Sequence, residues 1–376
     1  MSRLLEQRRR GCKPILDLTI SNPTECDISY PGEEILSALA NRRALRYTPD
    51  PRGIVSARQA IAGYYAGKGI NVDPSQLVLT ASTSEGCSFV FKLLCNPGDS
   101  VLVPVPSYPL FEFLAQTNDV ITVPYTLHYD GEWHIDMDSM KKGITQESKA
   151  IVIVNPHNPT GMFLKRGRLK EICQLAEERG LAVIVDEVFA DYPLAEDSER
   201  LISSSSESRV LTFTLNGISK LAGLPQLKLG WIVVSGESLA CEEALARLEL
   251  IADTFLSVNT PVQLALPELL RCGAKVRSQI QSRVRANLDS LRNFVTPGSA
   301  CSVLKCEGGW YAVLRVPRTR TDEEWAMQLL DSTGVFVHPG YFFDFPEEGY
   351  LVLSLLTAPE TFALGVQELI RFIQTG

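Results

Sequence analysis

Short apolar segments recur between residues 77 and 234, and each has the composition of a β-strand that is buried on both faces. The segments are "LVLT" (77–80), "SVLVPVP" (100–106), "VITVPY" (120–125), "AIVIVN" (150–155), "LAVIVDEV" (181–188), "VLTFTL" (210–215) and "LGWIVV" (229–234). Residues 165–180 predict a helix, because Leu169, Ile172, Cys173 and Ala176 share one helical face and Gly180 suits the position after its end. The alternation predicts an α/β domain with a mostly parallel sheet of about seven strands.

The pattern changes after about residue 260. A long helical stretch (roughly 262–294) precedes apolar strand patterns at 308–316, 334–340 and 349–356, with helices near 322–332 and 359–374. This arrangement predicts a second, smaller α+β domain. The pattern alone does not place residues 1–45.

Composition and charge exclude several classes of protein. The chain has 376 residues and a net charge of −8, which argues against a surface that binds nucleic acid or anionic membranes. The basic N-terminus lacks the apolar run of a secretory signal, and the longest apolar runs are too short to span a bilayer. The nine cysteines include no C-x-x-C pair, which predicts neither structural zinc nor a disulfide framework but a reducing, cytoplasmic setting. The four histidines show no metal spacing, so we predict no metal site.

Polar stretches follow the predicted strands where ligands collect in open α/β sheets. They are "TASTSEG" (80–86), "NPHNPTG" (155–161), "VIVDEVFADY" (183–192) and "NGISKLAGLPQLKLGW" (216–231). Each has an ordinary structural explanation as well. Thr83 and Ser84 could simply cap a helix, and residues 158–161 could simply form a turn. Asp186 could form a structural salt bridge, and Lys220 could be an ordinary solvated lysine.

Together, these stretches resemble the class I/II aminotransferases, the fold type I enzymes that use pyridoxal 5′-phosphate (PLP). The resemblance covers nearly the whole chain. The motifs that carry it, in the family's order, are "SNPTECD" (21–27), "YTPDPRG" (47–53), "PSYP" (106–109), "HNPTG" (157–161), "DEVF" (186–189), "SKLAGLPQLKLGW" (219–231) and "HPG" (338–340). It implies a large PLP-binding domain over residues 46–261 and a small domain built from residues 1–45 and 262–376.

The resemblance also implies roles for individual residues. Lys220 matches the lysine that forms a Schiff base with PLP, and Asp186 matches the carboxylate that pairs with the pyridinium nitrogen. Asn158 matches the donor to the 3′ oxygen, and Tyr108 matches the aromatic ring that stacks on the cofactor. The positions that match phosphate contacts are Thr83, Ser84, Ser219, Lys228 and Tyr47. The family supplies the Tyr47 contact from a second subunit, which implies a homodimer with shared active sites.

Four positions depart from the family pattern. Lys228 stands where arginine is usual, Gly217 where serine or threonine is common, and Phe189 where a tyrosine donates to the 3′ oxygen. By the register of "GYLVLSLL", Val352 stands where an arginine normally binds the substrate α-carboxylate. Two hypotheses follow: another cation, for example Arg315 or an arginine of the second subunit, binds that carboxylate, or the substrate presents none there.

The favoured function is therefore a PLP-dependent aminotransferase that acts on a small amino donor and a carbonyl acceptor. Lys220 would form the Schiff base and then act as general base and acid. Two alternatives stay open: a PLP-dependent lyase or decarboxylase on the same scaffold, and a non-catalytic ligand-binding protein with the PLP fold.

Overall fold

The structure is a computed structural model that describes residues 1–207, 209–296 and 298–375, apart from the side chain of Ser2. Within these residues, no helix is long and apolar enough to cross a membrane. The cytoplasmic setting stays a prediction.

Helices and strands alternate through the first two thirds of the chain. The described strands are β1 Leu16–Asp17, β2 Leu77–Thr80, β3 Ser100–Val105, β4 Ile121–Tyr129, β5 Trp133–Ile135, β6 Ser148–Val154, β7 Ala182–Asp186, β8 Thr212–Gly217, β9 Gly230–Ser235, β10 Ser302–Val303, β11 Tyr311–Arg315, β12 Val335–Phe336, β13 His338–Pro339 and β14 Tyr350–Ser354. The described α-helices are α1 Ser2–Arg10, α2 Gly32–Leu39, α3 Val55–Ala66, α4 Thr83–Leu94, α5 Leu110–Gln116, α6 Met137–Gly143, α7 Arg166–Arg179, α8 Ile218–Leu221, α9 Ser238–Phe255, α10 Thr260–Phe294, α11 Asp322–Thr333 and α12 Pro359–Thr375.

A large sheet has the strand order β2-β9-β8-β7-β6-β3-β4-β5. The predicted α/β class is confirmed, and each of the seven predicted strands forms; β5 extends the sheet as an eighth strand that the sequence pattern missed. Its three residues pair antiparallel with β4 and are too few to show a period. Alternate residues of β7 point into different cores, with Val183 and Val185 on one side and Ile184 on the other, which explains why the strand is apolar throughout.

The predicted helix over residues 165–180 corresponds to α7. Its four predicted core residues are buried, and Gly180 follows the helix in a left-handed conformation (φ 64°). This helix covers one face of the large sheet, as its apolar stripe requires.

A smaller four-stranded sheet, in the order β10-β11-β14-β13, is antiparallel throughout. Near it, β1 pairs in parallel with β12, so the N-terminal segment lies against the C-terminal part of the chain. The 35-residue helix α10 contributes its first half to the core around α3 and its second half to the core around β11. The domain division at 45/46 and 261/262 stays a prediction.

The topology sets where the polar stretches lie. Strands β8, β7, β6 and β3 run parallel, and β2 runs the same way because β9 is antiparallel to both β2 and β8. The carboxyl ends of all five strands therefore meet at one edge of the sheet, the edge at which ligands bind in such folds.

Candidate functional site

A cavity of about 390 Å³ lies at this edge of the sheet. It is lined by Thr19, Ser21, Thr83, Ser84, Ser107, Tyr108, Leu110, Phe111, Val154, Asn158, Asp186, Val188, Phe189, Ser219, Lys220, Tyr311, His338, Phe342 and Phe343. Seven of the nine sequence-predicted site residues are among these, and the exceptions are Lys228 and Tyr47.

Lys220 lies in the single helical turn α8, which follows β8. Its ammonium nitrogen lies 5.0 Å from the centre of the Trp310 ring and 5.7 Å from that of Phe189. Burial lowers the pKa of Lys220 to about 8, although the negative charge of Asp186 acts in the opposite direction. At pH 7, roughly a tenth of the amine is therefore neutral and nucleophilic, far more than for an ordinary lysine.

Asp186 is the last residue of β7, and its side chain is buried. Its carboxylate accepts a hydrogen bond from the backbone N–H of Val188 (3.0 Å). Burial raises the pKa of Asp186 to about 6, and this rise is opposed by that hydrogen bond and by the charge of Lys220. The carboxylate is therefore a buried anion that faces the cavity and has room there for a cationic partner.

The neighbouring acid, Glu187, has a different environment. Its carboxylate accepts hydrogen bonds from the hydroxyls of Ser203 (2.6 Å) and Ser204 (2.9 Å) and from the backbone N–H of Ser204 (2.7 Å). It does not line the cavity. Of these two consecutive acids, Glu187 has a structural role and Asp186 is the one available to a ligand.

The first turn of α4 brings two hydroxyls to the cavity. The N-cap of this helix is Ser82, whose hydroxyl accepts a hydrogen bond from the backbone N–H of Glu85 (3.1 Å). Capping is thus provided by Ser82, and the hydroxyls of Thr83 and Ser84 line the cavity beside the positive end of the helix. Ser219, in α8, lines the same cavity.

Asn158 and Tyr108 are adjacent, because the backbone N–H of Tyr108 donates to the carbonyl of Asn158 (3.2 Å). The side-chain oxygen of Asn158 and the hydroxyl of Ser107 are buried and have no hydrogen-bond partner in the protein. Buried polar atoms without a partner are rare, and here both belong to residues that line the cavity. They suggest a ligand that bonds to them.

Lys228 and Tyr47 lie apart from these residues. Lys228 is exposed, in a left-handed conformation (φ 51°) after a short 3₁₀ turn. Tyr47 is 79% exposed and borders a different cleft, together with Asn259 and Gln263. Within one chain, neither side chain lines the cavity.

The structure adds residues that the sequence interpretation did not assign to the site. Thr19 and Ser21 come from the N-terminal segment, and Tyr311 and Phe343 from the C-terminal part. The sequence analysis quoted His338 only as part of a motif. Burial lowers its pKa to about 4, and its ring stacks on Phe342 at 4.9 Å. A signal existed for Ser107 and Ser21, which belong to quoted motifs; Thr19 and Phe343 carried none.

Comparisons with known proteins agree on one family. The family model described as aminotransferase class I and II matches residues 13–361. The glutamate-pyruvate aminotransferase AlaA of Haemophilus influenzae is 27% identical over 368 residues, covering 96% of this chain and 90% of that protein. An alanine aminotransferase of Mycobacterium tuberculosis is 27% identical over 370 residues, covering 96% and 85%. The solved structure of an alanine aminotransferase from Pyrococcus furiosus shares the fold, with a TM-score of 0.89, 24% identity and coverage of 100% and 96%.

The coupling of Lys220 to Asp186 predicts a titration shift. Replacing Asp186 by Asn removes the charge that favours the ammonium form, so the pKa of Lys220 should fall below about 8. The measurement is the rate at which an amine-reactive reagent modifies Lys220 in cofactor-free protein, followed against pH by peptide mass spectrometry. Exposed Lys170 serves as an internal reference. Glu187→Gln is the matched control and should leave the curve unchanged; a rise in the pKa, or equal shifts in both variants, would contradict the coupling.

Proposed function

Because the chain belongs to the aminotransferase class I and II family, we propose that its cavity holds PLP and that Lys220 is the residue that binds it covalently. The observation that carries this proposal is the convergence of a desolvated lysine and a buried carboxylate on one cavity, with pKa values of about 8 and about 6. Perturbed ionisable groups that meet in a cleft are typical of catalytic sites. The amino group moves from a small amino donor to a carbonyl acceptor.

The cavity residues fit this cofactor. Asp186 is a buried anion that can accept the ring N–H, and the unpartnered side-chain oxygen of Asn158 is an acceptor for a donor group of the ligand. At the other end, the N-terminus of α4 with Thr83 and Ser84 suits a phosphate. Ser219 adds a hydroxyl, and Tyr108 can cover one face of the ring.

When bound, PLP supplies an aldehyde that takes up amines and a protonated ring that withdraws electrons. Asp186 keeps the ring nitrogen protonated, because a carboxylate in this buried position is stabilised by a positive partner. The Nζ atom of Lys220, once free, accepts a proton from the substrate carbon and returns it at the neighbouring position. A pKa of about 8 suits both directions of that transfer at neutral pH.

Reduction of the holoenzyme with borohydride, followed by peptide mapping, tests the attachment. We expect the pyridoxyl group on Lys220, because it is the lysine whose amine is desolvated beside Asp186. Lys220→Ala should retain no covalent label, whereas Lys228→Ala should still be labelled. A label on any other lysine would refute the assignment.

A second copy of the chain completes the site in this proposal. Tyr47 is exposed and lies away from its own cavity. The cleft that it borders is also lined by the exposed Leu256 (38%), and the exposed Leu45 (88%) and Phe255 (52%) are close in the chain to these two residues. Apolar groups exposed to this extent near one cleft favour burial against a partner. A homodimer would cover them and bring Tyr47 to the phosphate of the partner's cofactor.

Complementation between inactive variants tests this arrangement. Lys220→Ala removes the lysine, and Tyr47→Ala removes the exposed contact. If each site combines Lys220 of one chain with Tyr47 of the other, mixed dimers of the two variants contain one intact site. Random reassortment should then restore about a quarter of the parent activity. No restoration after verified subunit exchange, or a monomeric parent by sedimentation, would overturn the shared site.

The part of the cavity wall formed by Tyr311, His338 and Phe342 carries no full charge. Among the described residues that line the cavity, none is an arginine, and burial keeps His338 neutral at pH 7. Arg315 is exposed, with its guanidinium 5.2 Å from the Tyr129 ring centre, and does not line the cavity. This position does not support Arg315 as the replacement cation.

Val352 is fully buried in β14 and pairs with His338 of β13. Residues directly opposite each other in an antiparallel ladder share a face, so Val352 lies on the cavity side, behind the lining residues. Of the aromatic residues in this part of the chain, Phe342 lines the cavity and Tyr341 does not, whereas Trp310 is buried beside Lys220. We therefore propose a substrate that presents an uncharged group to the wall of Tyr311, His338 and Phe342.

Paired substrates that differ only in charge test this proposal. L-Phenylalanine and L-phenylalaninamide have nearly the same size, as do L-alanine and L-alaninamide. An uncharged wall predicts that each amide converts the cofactor to its pyridoxamine form at least as efficiently as the acid. A site with a buried cation would favour the acid by about 2–5 kcal/mol, or roughly 30-fold and more. A preference for the acids of that size would leave a cation from the second subunit as the surviving hypothesis.

A further inference from the structure

The backbone that carries Lys220 is held by side chains from three separate parts of the chain. We call residues 220–223 the lysine turn. Tyr192 donates its hydroxyl hydrogen to the carbonyl of Lys220 (2.6 Å), and Tyr30 donates to the carbonyl of Gly223 (2.7 Å). Arg277 reaches the carbonyl of Leu221 at 3.4 Å. The last carbonyls of a helix lack partners within the helix, and α8 is only four residues long. The carbonyl of Lys220 also accepts a longer bond from the backbone N–H of Gly223 (3.3 Å), and the side chains supplement this backbone bond.

The lysine turn also packs tightly against α10. Gly223 has a φ of +65°, and a Cβ there would lie 2.7 Å from Val276 Cγ1. On α10, a Cβ at Gly273 would lie 2.5 Å from the Cβ of Ala222. The turn therefore has little freedom toward α10, which also supplies Arg277, and the hydrogen bonds from Tyr192 and Tyr30 restrain it further.

Tyr192 contacts the lysine in two ways. Its hydroxyl binds the Lys220 carbonyl, and its ring lies edge-to-face on Trp310, 5.1 Å between centres. Trp310 in turn lies beneath the ammonium of Lys220. Both tyrosine and tryptophan are fully buried. One side chain thus supports the backbone of the lysine directly and its amine through an aromatic neighbour.

Tyr192 comes from the loop that begins at Asp186, which is itself anchored. The carboxylate of Asp191, the preceding residue, accepts hydrogen bonds from the hydroxyl of Tyr64 (2.5 Å) and the ammonium of Lys68 (2.8 Å). The loop therefore connects a fixed point, the carboxyl end of β7, to the lysine turn that follows β8.

We propose that Tyr192 is a positioning residue that sets the location of Lys220 relative to Asp186. This inference rests on the proposed function, in which these two groups act on one cofactor. The pairing of β7 with β8 ends at Asp186 and Leu215, whereas the pairing of β8 with β9 continues to Gly217. Beyond that point, the hydrogen bond from Tyr192 joins the loop after Asp186 directly to the lysine turn. Arg277 makes a longer, indirect connection, because it binds the Leu221 carbonyl at 3.4 Å and lies 3.9 Å from the carboxylate of Asp191. Errors of about 1 Å in such a placement can cost on the order of 100-fold in rate.

The test is Tyr192→Phe, which removes the hydroxyl and keeps the ring on Trp310. Tyr65→Phe is the matched control, because Tyr65 is also buried and its hydroxyl forms one hydrogen bond, with the indole N–H of Trp231 (3.2 Å). In cofactor-free protein, we expect hydrogen exchange of the amides at residues 222–224 to accelerate about tenfold or more in Tyr192→Phe and to stay unchanged in Tyr65→Phe. The pKa of Lys220 should rise above about 8, because a looser turn lets water reach the amine.

In the holoenzyme, kcat should fall about 10- to 100-fold in Tyr192→Phe, with KM within about twofold of the parent. Tyr30→Phe, which removes the contact with Gly223, is a second variant and should loosen the same amides. Equal exchange and equal kcat in Tyr192→Phe and Tyr65→Phe would overturn the proposal, and so would a loosened turn with unchanged kcat. Failure of the proposed function has a different signature, a pyridoxyl group on a lysine other than Lys220.

Discussion

Two opposite charges buried at the ends of neighbouring strands are the constraint on which this site depends. Asp186 ends β7 and Lys220 follows β8, and burial moves both pKa values toward neutrality. Burial raises the free energy of each charged form, and the opposite charge of the other group lowers it. To act on one ligand, the two groups must be held at a fixed separation. The parallel pairing of β7 with β8 sets part of this separation, and the hydrogen bonds from side chains to the lysine turn set the rest. A small change in backbone would therefore alter chemistry before it altered the fold.

The scaffold was predictable because its physical requirements are local. A strand covered on both faces must be apolar throughout, so the composition of "AVIVD" in β7 predicts a buried strand. The spacing of Leu169, Ile172 and Ala176 places them on one face of a helix, which predicts α7. β5 was not predictable, because three residues cannot display a period. The polar residues that follow strands were also accessible, since their position after an apolar run is itself a sequence signal.

The wall opposite these residues had no such signal. Thr19 and His338 are more than 300 positions apart in the chain, and they meet because β1 pairs with β12 and β13 pairs with β14. The sequence showed strand patterns at 334–340 and 349–356, but each strand pair has only two residues in its shorter member, so nothing in the pattern indicated which strands pair. The hydrogen bond from Tyr192 to Lys220 could not be predicted either, because its acceptor is a backbone carbonyl, which every residue type has. Long-range pairing and backbone acceptors are the two kinds of information that the sequence did not display.

Helix α10 has a consequence for the order in which the molecule acquires its parts. All strands of the large sheet have been synthesised once β9 ends at Ser235. The surface that shapes the lysine turn, however, lies on α10 at Gly273, Val276 and Ile280. During translation, the strands of the sheet can pair before this part of α10 has been synthesised. Until then, the lysine turn lacks the surface against which it packs. The scaffold is therefore expected to form before the lysine turn takes its final shape, and the cavity around Lys220 is completed only late in the synthesis of the chain.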